Sequence, residues 1–149
     1  MNILYPEGHK DFSPESTNYW GSLFGSSEAL ALIEFAKTQQ QVVLYVAKDI
    51  THYIQIQRAL NFYNSSLKIL AFSNWEVLAF DHFSPHSDIV SSRLKTLSQL
   101  PTFQTGIVIT TLESLSQRLC PTDYIDKYSL ALNSGEILEI EPFVNKLLK

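Results

Sequence analysis

Three short apolar runs constrain this chain most: Gln41–Ala47 (QVVLYVA), Lys68–Phe72 (KILAF) and Gly106–Thr110 (GIVIT). Each is almost uninterrupted by polar residues and rich in β-branched and aliphatic side chains. Runs of that kind read as strands buried on both faces, the signature of a parallel sheet. The stretches between them carry apolar residues at helical spacing. Ser27–Thr38 places Leu30, Ile33 and Ala36 on one face, flanked by Leu32 and Phe35. A helix opened by Asp49 or Thr51 and running to Tyr63 offers Ile54, Ala59, Leu60 and Tyr63 as core positions. Ser87–Leu100, stopped by Pro101, turns Val90, Leu94 and Leu97 inward. A short helix follows from Leu112 to Leu119. Buried strands alternating with helices predict an α/β domain, a parallel sheet flanked by helices on both faces with right-handed crossovers.

After Pro121 the pattern changes. Tyr128–Leu132 reads as a strand, Asn133–Glu136 as a turn, Ile137–Ile140 as a second strand, and Glu141-Pro142 as the opening of a helix through Leu148. A hairpin and one helix cannot build a core, so residues 127–149 are expected to begin a small α+β second domain that breaks off at Lys149. Residues 1–19, polar and punctuated by Pro6 and Pro14, read as an extended or partly ordered arm, which leaves residues 20–126 as the principal domain. At 149 residues with 45% hydrophobic and 17% charged side chains, there is enough apolar material for one compact core. No apolar run reaches the ~18–20 residues that span a bilayer, and no basic–apolar leader opens the sequence. Cys120 is the only cysteine and cannot form an internal disulfide. A cytoplasmic protein without membrane contact is expected. The net charge is −4 and the eleven Lys and Arg residues are scattered, which argues against autonomous nucleic-acid binding.

The stretch Gly21-Ser22-Leu23-Phe24-Gly25-Ser26-Ser27-Glu28-Ala29 stands where a phosphate-binding loop would open a helix. A working loop reads G-x-x-x-x-G-K-[ST], its lysine neutralising the β/γ-phosphates and its hydroxyl holding Mg²⁺. Here Glu28 takes the lysine position and Ala29 the hydroxyl position. Gly25, Ser26, Ser27, Glu28 and Ala29 therefore read as a vestigial phosphate loop that binds no cofactor. Each has an ordinary structural role as well: Ser26 or Ser27 as an N-cap, Glu28 as a carboxylate at the positive end of a helix.

Between the second strand and the third helix lies an aromatic-rich loop. Trp75, Phe80 and Phe83, with Pro85 and His86, are open to two readings. They form a docking surface, or they pack beneath the loop while Ser84 or Ser87 caps the helix and Pro85 sits at its first turn. Arg93 follows a strand end and suits a phosphate or carboxylate contact, or equally a surface salt bridge. Trp75, Phe83, Pro85, His86 and Arg93 together make up the candidate interaction surface. His82 and His86 with Asp81 and Asp88 have a spacing reminiscent of metal ligands, but with no cysteine near them no metal site is expected. Glu76 and Asp81 lack any accompanying nucleophile or oxyanion donor, so no catalytic set is expected.

Asn74-Trp75-Glu76-Val77-Leu78 and Asp81-His82-Phe83-Ser84-Pro85-His86-Ser87-Asp88-Ile89-Val90-Ser91-Ser92-Arg93-Leu94 resemble the N-terminal module of the bacterial transcription-repair coupling factors (Mfd). That family carries D/N-W-E-x-L-x-x-D-x-F-S-P-H-x-D-I-x-S-x-R-L-x-x-L-x-x-L-P, which this sequence follows through Leu100-Pro101. Gly106–Pro121, Tyr19-Trp20-Gly21 and the loop at Gly25 agree as well, so the resemblance runs from about Trp20 to the C-terminus. It implies a RecA-like domain similar to the first domain of UvrB that has lost nucleotide binding. Full-length members are ATP-dependent translocases on double-stranded DNA. They dislodge RNA polymerase stalled at lesions and recruit excision repair through UvrA. ATP and Mg then belong to a separate motor, UvrA contacts lie mainly on the domain that follows, and other domains of the same chain are further partners. UvrB keeps the lysine and threonine that Glu28 and Ala29 replace, and its strand-separating hairpin has no counterpart in Ala79–Ser92, so lesion verification is not expected. The competing reading is an ATPase or helicase half-domain with an atypical loop. Against it, Gly106–Thr110 leads into Thr111-Leu112-Glu113 and not into an acidic Mg²⁺-holding pair.

Overall fold

The computed structural model describes residues 17, 19–63, 66–75, 82, 84–128, 134–135 and 137–148. The three apolar runs form the strands β1 (Val42–Ala47), β2 (Ile69–Ala71) and β3 (Gly106–Thr111) of one parallel sheet, in the order β1-β3-β2. Helix α1 (Ser27–Gln39) precedes β1, α2 (Ile50–Phe62) joins β1 to β2, and α3 (Ser87–Gln99) joins β2 to β3 through a 3₁₀ turn at Leu100–Thr102. Beyond β3 follow α4 (Leu112–Ser116), α5 (Thr122–Tyr128) and α6 (Ile140–Leu147). This is the parallel α/β arrangement that the alternation of runs predicts, and it fits the RecA-like class that the resemblance implies.

Register decides which face each strand residue serves. Val43, Ile107 and Ile69 lie in one row across the sheet, as do Tyr45, Ile109 and Ala71; the row between them is Leu44, Val108 and Leu70. Because successive rows alternate faces, the first two meet α1 and α2. There Ala29, Ile33 and Ala36 of α1 and Ile56 and Leu60 of α2 join Ile107 and Ile109 in the main core. Burying each large aliphatic side chain in that cluster contributes about 1.5–3 kcal/mol. The opposite face holds a smaller cluster of Leu70, Val108 and Phe103 with Leu100 against it. Central β3 is buried along its whole length. Its entry requires Gly106, whose φ is +131° and whose Cβ, were there one, would strike the Lys68 carbonyl oxygen and come within 2.7 Å of Phe103 Cζ.

The structure corrects several expectations. β1 is buried on one face only, because it is an edge strand and nothing described covers Val42, Leu44 and Val46, which are 42%, 53% and 39% exposed. In α2 the inward residues are Tyr53, Ile56 and Leu60, and Ile54 faces out. In α3 the buried residues are Arg93 and Thr96, and Leu94 is exposed. The Thr96 hydroxyl donates to the Ala71 carbonyl at 2.9 Å, so this helix meets the sheet through polar as well as apolar contacts. α4 ends at Ser116, short of Leu119. No hairpin strand forms at Ile137–Ile140: residues 137–139 are not strand, and Ile140 starts α6. Tyr128 ends a helix, and residues 129–132 of the expected first hairpin strand lie outside the described residues. Among the described residues no helix is long and apolar enough to cross a membrane.

Candidate functional site

The loop that opens α1 is built around Gly25, whose φ of +59° puts it in the left-handed region. The Phe24 carbonyl accepts from the Ser27 backbone N–H at 3.2 Å and from the Ser27 hydroxyl at 2.8 Å. Ser26 stands at the N-cap position without a side-chain capping bond, so neither serine caps α1 as expected. Instead the Ser26 hydroxyl accepts from the Tyr63 hydroxyl at 2.8 Å, which ties the loop to the end of α2. Residues 19–24, which lead in, are not strand.

Glu28 is the centre of this loop. Its Oε1 accepts from the Tyr45 hydroxyl at 2.5 Å, and its Oε2 lies 3.0 Å from His52 Nε2. A carboxylate only accepts, so Nε2 carries the proton. Tyr45 comes from β1, and His52 from the first turn of α2, which Asp49 caps by accepting from the His52 N–H at 2.7 Å. Burial, then the hydrogen bond and negative charge of Glu28, raise the Tyr45 phenol above its ordinary range and keep it a neutral donor. Ala29 is fully buried in the main core. The loop's polar side chains are thus satisfied by the protein itself, and the lysine position holds a carboxylate. At 4 Å, in a setting of effective dielectric near 20, a like charge is repelled by about 4 kcal/mol. Beside the loop lies a cavity of about 500 Å³ bordered by Gly25, Glu28, His52, Gln55 and Arg58.

A second polar cluster occupies the carboxyl end of β2. Arg93 is 2% exposed. Its guanidinium sits 3.9 Å from the Phe72 ring centroid and 4.2 Å from that of Trp75, donates to the Ser73 carbonyl, and reaches Gln117 Oε1 at 3.4 Å. Its Nε is buried without a hydrogen-bond partner, and burial lowers its pKa. Asn74 links the cluster together: its Nδ2 donates to Glu113 Oε2 at 2.5 Å, and its Oδ1 accepts from the Trp75 N–H at 2.8 Å. Arg93 is therefore not the surface contact the sequence suggested, because two aromatic rings and a carbonyl draw it inward. Trp75, half-buried, packs on it. His86 is exposed and caps α3, its Nδ1 accepting from the Asp88 N–H at 3.3 Å, in place of Ser84 or Ser87. Pro85 is half-buried beside it. Phe83, with Glu76, Phe80 and Asp81, lies outside the described residues. Among the described residues, no three His, Cys, Asp or Glu side chains converge to hold a metal ion.

Sequence reasoning missed Tyr45 and His52 as partners of Glu28. The available signal was Tyr45 itself, the one polar ring inside an otherwise apolar strand. The fold and the loop define a class: a parallel α/β domain of the RecA-like type whose helix-opening loop carries Glu28 bonded to Tyr45 and His52. No family model matches the sequence. It is 34% identical over 118 residues, 79% of the chain, to the transcription-repair-coupling factor of Escherichia coli (strain K12). It is 33% identical over 128 residues, 86% of the chain, to that of Haemophilus influenzae (strain ATCC 51907 / DSM 11121 / KW20 / Rd), and 31% identical over 99 residues, 66% of the chain, to that of Rickettsia prowazekii (strain Madrid E). These matches assign the chain to the transcription-repair-coupling factor family, as the counterpart of one segment of those proteins. It spans about a tenth of the length of the curated relatives it matches, 10%, 11% and 9% respectively.

Proposed function

We propose that this chain is the N-terminal scaffold module of a transcription-repair coupling factor, catalytically silent and serving transcription-coupled repair in the cytoplasm through protein contacts. In this reading, ATP-driven translocation on double-stranded DNA and displacement of stalled RNA polymerase belong to a separate motor, which holds the ATP and Mg. Residues 20–126 are the degenerate RecA-like domain, residues 1–19 an arm, and residues 127–149 the start of the domain that meets UvrA. Trp75, Pro85 and His86 mark the side from which the module would meet its partners, and Phe83 of the same candidate surface lies outside the described residues. The single observation behind the silent assignment is Glu28 at the lysine position, bonded to Tyr45 and His52.

The second reading, an ATPase half-domain with an atypical loop, has in its favour the cavity of about 500 Å³ beside that loop. Calorimetric titration with Mg·ATP and Mg·ADP separates the two. The silent module gives no saturable heat up to millimolar nucleotide, whereas saturable micromolar binding would return the enzyme reading to the front.

A further inference from the structure

The cavity of about 500 Å³ beside the loop that opens α1 is bordered by two groups of opposite charge that form no ion pair with each other, Glu28 and Arg58. The loop and the start of α1 contribute Leu23 and Glu28 to its lining; α2 contributes Gln55, Ile56, Arg58 and Ala59. Each Glu28 oxygen accepts one bond, from Tyr45 or His52, and keeps a second lone pair. Those two donors, one on β1 and one on α2, orient the carboxylate, and 30% of its side chain stays exposed. Arg58 is exposed and has no ion-pair partner among the described residues. Leu23, Ile56 and Ala59 give the same cavity an apolar lining.

We propose that this cavity binds a small zwitterion, a free α-amino acid with an aliphatic side chain, whose ammonium group docks on Glu28 and whose carboxylate docks on Arg58. Such a site is independent of the scaffold role and of any nucleotide. The two charges select the class. A phosphate or a lone carboxylate is attracted by Arg58 and repelled by Glu28, and a simple amine meets the reverse. A ligand that carries both charges satisfies both groups. The planar guanidinium donates a forked pair of bonds to a carboxylate, and the three ammonium donors suit the lone pairs that Glu28 leaves free. An aliphatic side chain suits Leu23, Ile56 and Ala59. The volume lies within the roughly 300–1,000 Å³ of small-molecule sites.

Calorimetric titration of the full 149-residue chain with L-leucine tests the site, beside isoamylamine, which lacks the carboxylate, and isocaproate, which lacks the ammonium group. The expected result is saturable heat with leucine and at least about tenfold weaker binding of either analogue. Arg58→Ala should weaken leucine at least about tenfold and should not weaken isoamylamine. Gln55→Trp, which fills the cavity, should abolish the leucine heat. Both residues are exposed and lie outside the two core clusters, so both variants keep the fold. No saturable heat at millimolar leucine, equal binding of the analogues, or indifference to Arg58→Ala overturns the proposal. Saturable heat with Mg·ATP and none with leucine overturns it and gives the cavity to a nucleotide. No heat with either overturns it and leaves the silent scaffold standing.

Discussion

Glu28 and Arg93 are the two charged residues whose neighbours decide their meaning. Glu28 keeps 30% of its side chain exposed, yet both its oxygens are engaged by Tyr45 and His52. Arg93 has lost its water altogether and receives in exchange two aromatic faces, a carbonyl and a glutamine. A desolvated cation–π contact is worth about 2 kcal/mol, and the carbonyl left behind on truncation costs about 1 kcal/mol or more. Arg93→Ala is therefore expected to lower the unfolding free energy by about 3 kcal/mol, read from urea denaturation. A loss below about 0.5 kcal/mol would place the guanidinium in solvent and restore the surface reading.

At the scale of elements, the face formed by α1, β1 and α2 contains one buried phenol, Tyr53, and one half-buried phenol, Tyr45. Burial pushes the Tyr53 phenol up to about 12, and burial together with Glu28 raises Tyr45 as well. The fold thus favours the protonated phenols, and their ordinary value in the unfolded chain is 10.0. A group whose folded value is raised stabilises fully below its unfolded value and loses that contribution as pH climbs through the folded one. The urea midpoint should hold up to about pH 10 and fall steeply from there toward pH 12. Tyr53→Phe should flatten that fall, and an unchanged slope would mean that the ring is solvated. The opposite face behaves differently because α3 enters it with Arg93 and Thr96, so the apolar periodicity of that helix, read alone, pointed Leu94 the wrong way.

For the whole molecule, the question is whether the proposed phosphate-loop descent of residues 25–29 holds. Restoring the two missing residues by Glu28→Lys with Ala29→Thr tests it. The lysine would leave the Tyr45 hydroxyl and His52 without their acceptor, and the threonine would have to fit where Ala29 is 0% exposed. Overpacking a core site costs about 1–3 kcal/mol. The double variant should unfold at lower urea and show no saturable heat with Mg·ATP. Tight nucleotide binding by it would mean that the loop is intact but for two side chains.

The three strands, their parallel sense and the four helices from α1 to α4 were legible in the sequence, because a strand buried in a parallel sheet must be continuously apolar and a crossover must be helical. That Glu28 and Ala29 stand where a phosphate loop would carry a lysine and a hydroxyl was legible too, since it is a statement about residue types alone. Burial and partnership were not legible. The exposure of Val42, Leu44 and Val46 follows from β1 being an edge strand, and strand order is a property of the assembled sheet. The bond from Tyr45 to Glu28 joins residues 17 apart, and that from His52 to Glu28 residues 24 apart. The strand expected at Ile137–Ile140 is absent because apolar residues there suit a strand or the start of an amphipathic helix equally well. Local composition, acting through backbone propensity and burial, determined the elements. Only the tertiary structure, acting through proximity across the sheet, decided which charges meet and which apolar faces are left open.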